Sequence, residues 1–372
     1  MRSWSSARPC WRPNGRWRAG WPDTCRPSDI SRRFKSFAIV HMIPGSNREE
    51  SMPLLRPTRR EMLALAAAMP AFAMPAALRA ELGPPDGENP AHFRFALGDM
   101  KITIVSDGWF PQPLTAMGMN ADEAEKLAFL EAHFLPTDEL VGHTNHVYIE
   151  TGEAKVLIDV GSGNRFFDTA GRLISNMEAA GIDPFATTHV VVTHAHPDHI
   201  WGVRDDFDEA IIPDAEYVIG EAEHDYWLQD GLVDRVAPEA QQFVLGAVNS
   251  INVDGAEWTL AGDGHEVAPG VRLMSTNGHT PGHMSILLES GDDQLLVLGD
   301  AITHAFGHFA HPDWYGSMDS DPEATVATRR RILDMAAADR IPVVGYHFPF
   351  PGVGHVKAEG EAYAFVPALW RF

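Results

Sequence analysis

Three histidines and an aspartate fall within six residues in His194-Ala195-His196-Pro197-Asp198-His199, directly after the apolar run Val190-Val191-Val192-Thr193. Such a run reads as a strand covered on both faces of a sheet, so four groups able to ligate a metal leave one strand end together. Side chains at i and i+2 of an extended segment share a side, which lets His194 and His196 point into one site while Asp198 and His199 occupy the following turn. Pro197 fixes its own φ and biases His196 toward an extended conformation, limiting how far the cluster can wander. Ordinary surface histidines are a poor account of such spacing.

Charge and cysteine usage narrow the chemistry. The first 60 of the 372 residues hold 13 Lys/Arg against 4 Asp/Glu, so residues 61–372 hold 16 against 47, a net −31. A body this acidic repels phosphate backbones, which argues against nucleic acid as a partner and for neutral or cationic small substrates. With 45% hydrophobic and 22% charged residues the chain can bury a large core, and disorder is excluded as its main theme. Cys10 and Cys25 both lie in the first 60 residues, so the body has neither disulfides nor thiolate ligands, and any metal must be held by His and Asp.

Residues 1–51 show neither a strand nor a helix period and read as a non-native or disordered extension, with translation expected to begin at Met52. In residues 52–80, Arg56, Thr58, Arg59 and Arg60 precede an apolar run from Met62 to Ala77 that ends in small residues. That arrangement reads as an export signal, too short for a membrane span, and the Thr58–Leu63 segment resembles a twin-arginine signal. It predicts an exported protein, periplasmic or secreted, with no membrane attachment after cleavage beyond Ala73 or Ala80. Residues 81–92 read as a linker, and 93–372 as the folded domain.

Within that domain, alternation predicts strands at Phe93–Leu97 and Lys101–Ser106 around Gly98-Asp99, and a hairpin of His146–Glu150 with Lys155–Asp159 around Thr151-Gly152. Further strands are expected at Val190–Thr193, Glu216–Ile219, Val271–Thr276, Ser285–Glu289, Gln294–Leu298 and Ile341–Gly345. Helices are expected at Ala121–His133, along the stripe Phe166, Ala170, Leu173, Ile174 and Met177 up to Gly181, at Glu221–Gln229, around Pro238–Ser250 and at Pro322–Ala338. In the last, Asp321 is the N-cap and Val326, Leu333 and Ala337 mark the buried stripe. Hairpins mixed with crossovers favour a two-sheet α+β core with outer helices over a single parallel sheet.

Three later strand ends offer ligands to complete the site. Val271–Thr276 runs into His279, Gln294–Leu298 into Asp300, and Ile341–Gly345 into His347. The recurrence of one imidazole or carboxylate just past each strand is the argument for a shared site.

The HxHxDH segment with these later elements resembles the metallo-β-lactamase-fold hydrolases. The resemblance implies a four-layer αββα sandwich with the site at one edge of its two sheets. It also implies two divalent metals, zinc first among the expectations with manganese, iron or cobalt as alternatives. His194, His196 and His279 would hold one ion, Asp198, His199 and His347 the other, and Asp300 would bridge. Leu97-Gly98-Asp99 through Ser106-Asp107-Gly108, Met318-Asp319-Ser320-Asp321 and Phe350–His355 through Pro367 resemble methyl parathion hydrolase and related lactonases and arylesterases. That resemblance puts pocket aromatics at Phe166 and Trp227 and implies a homodimer. Between Thr303 and Gly316 the chain departs from the pattern, with His304, His308 and Trp314 expected in a different pocket wall. His143, His146, His189, His224, His265, His283 and His355 read as packing or surface residues.

Two metals would hold a bridging water as hydroxide for attack on a carbonyl carbon or phosphorus, with Asp300 bridging and Asp198 orienting. The expected function is hydrolysis of neutral esters or lactones, acyl-homoserine lactones among them, or aryl esters, with phosphotriesterase side activity. A dedicated organophosphate hydrolase, a β-lactamase and a catalytically silent metal-binding export protein are the alternatives.

Overall fold

Val190, Val191 and Val192 point alternately into two different cores, and that alternation defines the architecture. In the computed structural model, which describes residues 89–370, Val191 joins the core between two sheets while Val190 and Val192 face a helical layer. The expectations for residues 1–51, 52–80 and most of the linker lie outside the described residues.

The first sheet has seven strands in sequence order: β1 (His92–Leu97), β2 (Met100–Gln112), β3 (Leu140–Thr151), β4 (Ala154–Ile158), β5 (His189–Val192), β6 (Glu216–Gly220) and β7 (Trp258–Ala261). Strands β1 to β4 form an antiparallel meander, and β5, β6 and β7 then add in parallel. The second sheet runs from β8 (Glu266–Ala268) through β9 (Val271–Ser275), β10 (Met284–Ser290), β11 (Asp293–Val297), β12 (Val343–Val344) and β13 (Val353–Glu359) to β14 (Ala362–Pro367). Here β12 joins β11 in parallel and the other pairings are antiparallel.

Ile102, Ile104, Val147, Ile149, Val156 and Ile158 of the first sheet pack against Leu273, Ile286, Leu288, Leu295 and Val297 of the second. Their opposite-facing neighbours bury helices. Leu157, Val190 and Tyr217 cover α2 (Leu173–Ala179), α4 (Glu221–Trp227) and α6 (Gln241–Ile251). Leu296 and Val343 cover α8 (Pro322–Ala338) and α7 (Gly307–Ala310). The remaining helices are α1 (Glu123–Ala132), α3 (Pro197–Ile200) and α5 (Leu232–Arg235). The αββα sandwich expected from the sequence is therefore the observed fold.

Local capping follows the sequence at two helices. Asp122 accepts from the amides of Ala124 and Glu125 to start α1, and Asp321 accepts from Ala324 N, with Pro322 at the first position of α8. The helix expected to begin near Phe166 is shorter: α2 starts at Leu173, and Phe166 lies in the preceding loop. The cause is Asp107, the extra residue of a bulge in β2. Its carboxylate accepts from Leu173 N (2.7 Å), Gly171 N (3.0 Å), Ser162 N (3.2 Å) and Ser162 Oγ (3.2 Å). Gly171, at φ +83°, makes the left-handed turn that keeps the helix from extending backward.

The buried face of α8 also differs from the expected stripe. It carries Thr325, Arg329, Ile332, Leu333 and Ala336, with Val326 and Ala337 only half-buried. Strands β7, β8, β13 and β14 have no counterpart in the sequence reading, because they are edge strands or an edge hairpin whose alternate residues, such as Lys357 and Glu359, face solvent.

Candidate metal centre

Loops leaving β5, β9, β11 and β12 converge at one rim of the sandwich, and each carries the groups singled out in the sequence. His194, His196, His279 and Asp300 form one group, and Asp198, His199 and His347 another, the ligand atoms of each lying within 4.8 Å of one another. All seven residues are buried.

In the first group, His196 Nδ1 lies 2.9 Å from His194 Nε2 and 3.0 Å from His279 Nε2. Asp300 Oδ2 is 3.3 Å from His279 Nε2 and 3.9 Å from His194 Nε2. In the second, Asp198 Oδ2 is 3.4 Å from both His199 Nε2 and His347 Nε2. Asp300 reaches this group too, with Oδ1 3.5 Å from His199 Nε2 and Oδ2 3.2 Å from His347 Nε2. Its carboxylate therefore stands between the two groups.

These spacings fit a metal. Tetrahedral ligands at ~2.0–2.1 Å from one ion stand about 3.3 Å apart, close to the distances found. Asp198 Oδ2, His199 Nε2 and Asp300 Oδ1 are buried with no hydrogen-bond partner. Buried polar atoms without partners are costly, so three such atoms turned toward one another mark a site built for cations. The neutral imidazole and carboxylate donors suit divalent zinc, manganese, iron or cobalt.

The imidazoles that present Nε2 are each oriented through Nδ1. His199 Nδ1 donates to Asp159 Oδ2 (2.8 Å), His279 Nδ1 to Asp319 Oδ1 (2.8 Å), His347 Nδ1 to the His143 carbonyl (2.7 Å), and His194 Nδ1 to Thr193 Oγ1 (3.1 Å). Tyr346 stacks on His199 at 3.9 Å between centroids and donates to the Asp198 carbonyl at 2.6 Å. His283 Nε2 accepts from the Asp300 amide at 2.9 Å, which fixes the backbone under the shared carboxylate. Burial opposes charge on His279, but Asp300 and Asp319 beside it outweigh that and raise its pKa to about 9. Burial, reinforced by His279, instead lowers His196 to about 3.

Asp159 and Asp319 were not among the site residues expected from sequence. For Asp159 the signal was present: it follows β4 as Asp300 follows β11, a carboxylate just past a strand. Glu223, on α4, gave no such signal.

Above the centre lies a predominantly apolar cavity of about 290 Å³ lined by Phe110, Phe166, Phe167, Phe243 and Met318, with His196, Asp198, His279, Asp300 and His347 at its base. Of the expected pocket residues only Phe166 lines it. Trp227 is buried behind His196, 5.9 Å between ring centroids, with its indole N–H bound to Glu223. His304 lines a separate cavity of about 170 Å³ with His143 and Phe306, on another side of His347. His308 is buried and bonds the Met117 carbonyl at 2.8 Å, and Trp314 packs with Met117, Leu130 and Leu140. His308 and Trp314 thus turn inward to build the core under α1 and are packing residues.

Comparison with known proteins bears on the fold and the family. The model of the metallo-beta-lactamase superfamily matches residues 140–344. An N-acyl homoserine lactonase of a Bacillus species is 22% identical over 216 residues, 53% of this chain and 77% of that protein. The structure of AidC, a dizinc quorum-quenching lactonase in complex with a product, superposes with a TM-score of 0.67 at 23% identity, covering 76% of this chain and 99% of that one. The hydrolase AbOPH, in the beta lactamase superfamily, gives a TM-score of 0.72 at 24% identity over 77% of this chain and 100% of that one. These structural likenesses show the fold.

Proposed function

The chain belongs to the metallo-beta-lactamase superfamily, and from that membership and its site we propose that it is a hydrolase with two divalent ions, zinc foremost, acting on lactones and neutral esters. The observation that carries the reading is the placement of Asp300, whose carboxylate reaches both histidine groups at the base of an apolar cavity, Oδ2 lying 3.3 Å from His279 Nε2 and 3.2 Å from His347 Nε2. His194, His196 and His279 would hold one ion, and Asp198, His199 and His347 the other. Two ions there would lower the pKa of a water between them and polarise the C=O or P=O oxygen of a substrate.

The chain's own residues supply the rest. Asp300 holds the two groups together, and Asp198, at the base of the cavity, would also orient the attacking water. Phe110, Phe166, Phe167 and Phe243 exclude bulk water and hold the acyl or aryl part of the substrate by burial and ring contact. No Ser or Cys nucleophile is required. The sequence similarity to N-acyl homoserine lactonases supports a lactone as substrate, acyl-homoserine lactones included.

The four phenylalanines suit an aryl leaving group as well, which supports arylesterase and phosphotriesterase activity and, as a second reading, an organophosphate hydrolase like methyl parathion hydrolase. The Arg59-Arg60 segment supports export, and N-terminal sequencing of the native protein tests it. A homodimer is inferred from the same family resemblance, and sedimentation tests it.

The deciding experiment assays the zinc-loaded chain on acyl lactones, phenyl acetate, methyl parathion and nitrocefin, with Asp300→Asn and His199→Ala beside it. Lactone or aryl ester turnover lost in both variants is expected. Unchanged rates in both variants on every substrate would leave only a silent metal-binding protein, and efficient nitrocefin turnover alone would make it a β-lactamase.

A further inference from the structure

Glu223 is wholly buried, and each of its oxygens accepts from one of the two loops that carry the first histidine group. Oε1 accepts from Ala195 N at 2.9 Å and from Trp227 Nε1 at 2.6 Å. Oε2 accepts from Thr280 Oγ1 at 2.6 Å and from Gly282 N at 3.0 Å. Ala195 lies between His194 and His196, and Thr280 directly follows His279.

The two loops leave different sheets, β5 in the first and β9 in the second, so a small slide of one sheet over the other would change the distance between their imidazoles. That distance is short: His196 Nδ1 and His279 Nε2 are 3.0 Å apart, with their rings nearly perpendicular at 87°. The carboxylate of Glu223 ties the loops across this seam. The approach is so close that a Cβ at Gly282 would stand 2.0 Å from Glu223 N, and only glycine fits there. Through Trp227 the same carboxylate also holds the indole against the edge of His196.

We propose that Glu223 is a positioning residue of the metal centre, fixing the separation of His279 from the His194/His196 pair and thereby the affinity of that one group for its ion. This rests on the reading of the site as a metal centre. A carboxylate that only satisfied buried donors would contribute to stability without favouring either group. Glu223→Gln keeps the shape but turns one acceptor into an N–H group facing donors, so the loops must separate.

The test titrates zinc into the full chain against a chromophoric chelator, with thermal unfolding of the metal-free protein recorded in parallel. The wild-type chain should take up two ions. In Glu223→Gln one affinity should fall by about tenfold or more while the other changes little, as expected for groups that orient ligands. Thr280→Val, which removes a single hydrogen bond, should weaken the same ion by less, and it keeps the test decisive if the glutamine variant fails to fold. Two unchanged affinities in folded variants, or equal weakening of both ions in step with lost stability, would overturn the inference. A wild-type chain that binds no zinc would overturn the metal-centre reading itself.

Discussion

Asp159 and His199 meet at 2.8 Å, Oδ2 to Nδ1, across 40 positions of sequence, and the same carboxylate takes the amide of Thr193 at 2.8 Å and its hydroxyl at 3.0 Å. Asp159 adopts a left-handed φ of 60° to reach them, a conformation that asparagine tolerates equally well. One carboxylate thus fixes the start of the ligand loop and the ring of a ligand in it. Asp159→Asn preserves the backbone but cannot accept from all three donors. Zinc affinity at the His199 group should fall by about 10- to 100-fold with the His279 group little changed, measured by chelator competition.

Zinc uptake should release protons. Burial opposes charge on His199, but Asp198, Asp300 and Asp159 raise its pKa well above the usual histidine range, and His279 is raised to about 9. Both are protonated at pH 7 without metal, and both must lose the proton to ligate. Titration calorimetry in two buffers of different ionisation enthalpy should therefore show a net release, on the order of two protons per chain, and zinc affinity that weakens as pH falls from 9 to 6. Identical heats in both buffers at pH 7 would count against it.

The cavity wall predicts which substitutions alter substrate binding. Phe243 lines the cavity, and its loss to alanine removes apolar contact on the order of 1–2 kcal/mol. KM for a long-chain acyl lactone or an aryl ester should rise about tenfold in Phe243→Ala with kcat much less affected. His304→Ala, in the separate cavity, should leave KM unchanged. The reverse pattern in steady-state kinetics would place the substrate in the other cavity.

Asp107 should matter to stability more than to binding. It accepts from four donors of the Ser162–Leu173 loop. Asp107→Ala leaves the buried amides of Ser162 and Leu173 without that acceptor and should lower unfolding free energy by roughly 2 kcal/mol or more. A denaturant melt of the metal-free chain with an unchanged slope checks it, and a loss under about 1 kcal/mol would show that water replaces the carboxylate.

The residues of the candidate metal centre were legible in the sequence because their logic is local. A strand that buries both faces has no room for polar groups, so imidazoles and carboxylates gather in the loops just past its end, and the residue types declare the chemistry. His194, His196, Asp198, His199, His279, Asp300 and His347 all follow that rule, and the sandwich brings their strand ends to one rim. The substrate wall was not legible, because it depends on which loops face one another. Phe166 reads as part of a helical stripe until Asp107, 59 positions earlier in the chain, caps the helix at Leu173 and leaves the ring in the cavity. His308 and Trp314 read as a pocket wall but fold inward, since their segment must cover the core beneath α1, whereas His304 lines a separate cavity. Arg329, outside the stripe expected for α8, is fully buried against the Trp314 carbonyl and near Asp319. Periodicity reports how a segment alternates between apolar and polar, so the sequence alone determined the fold class and the candidate set of seven His and Asp side chains. Only tertiary packing decided what lies opposite each face, and with it the Glu223 clamp, the oriented ligands and the aromatic cavity.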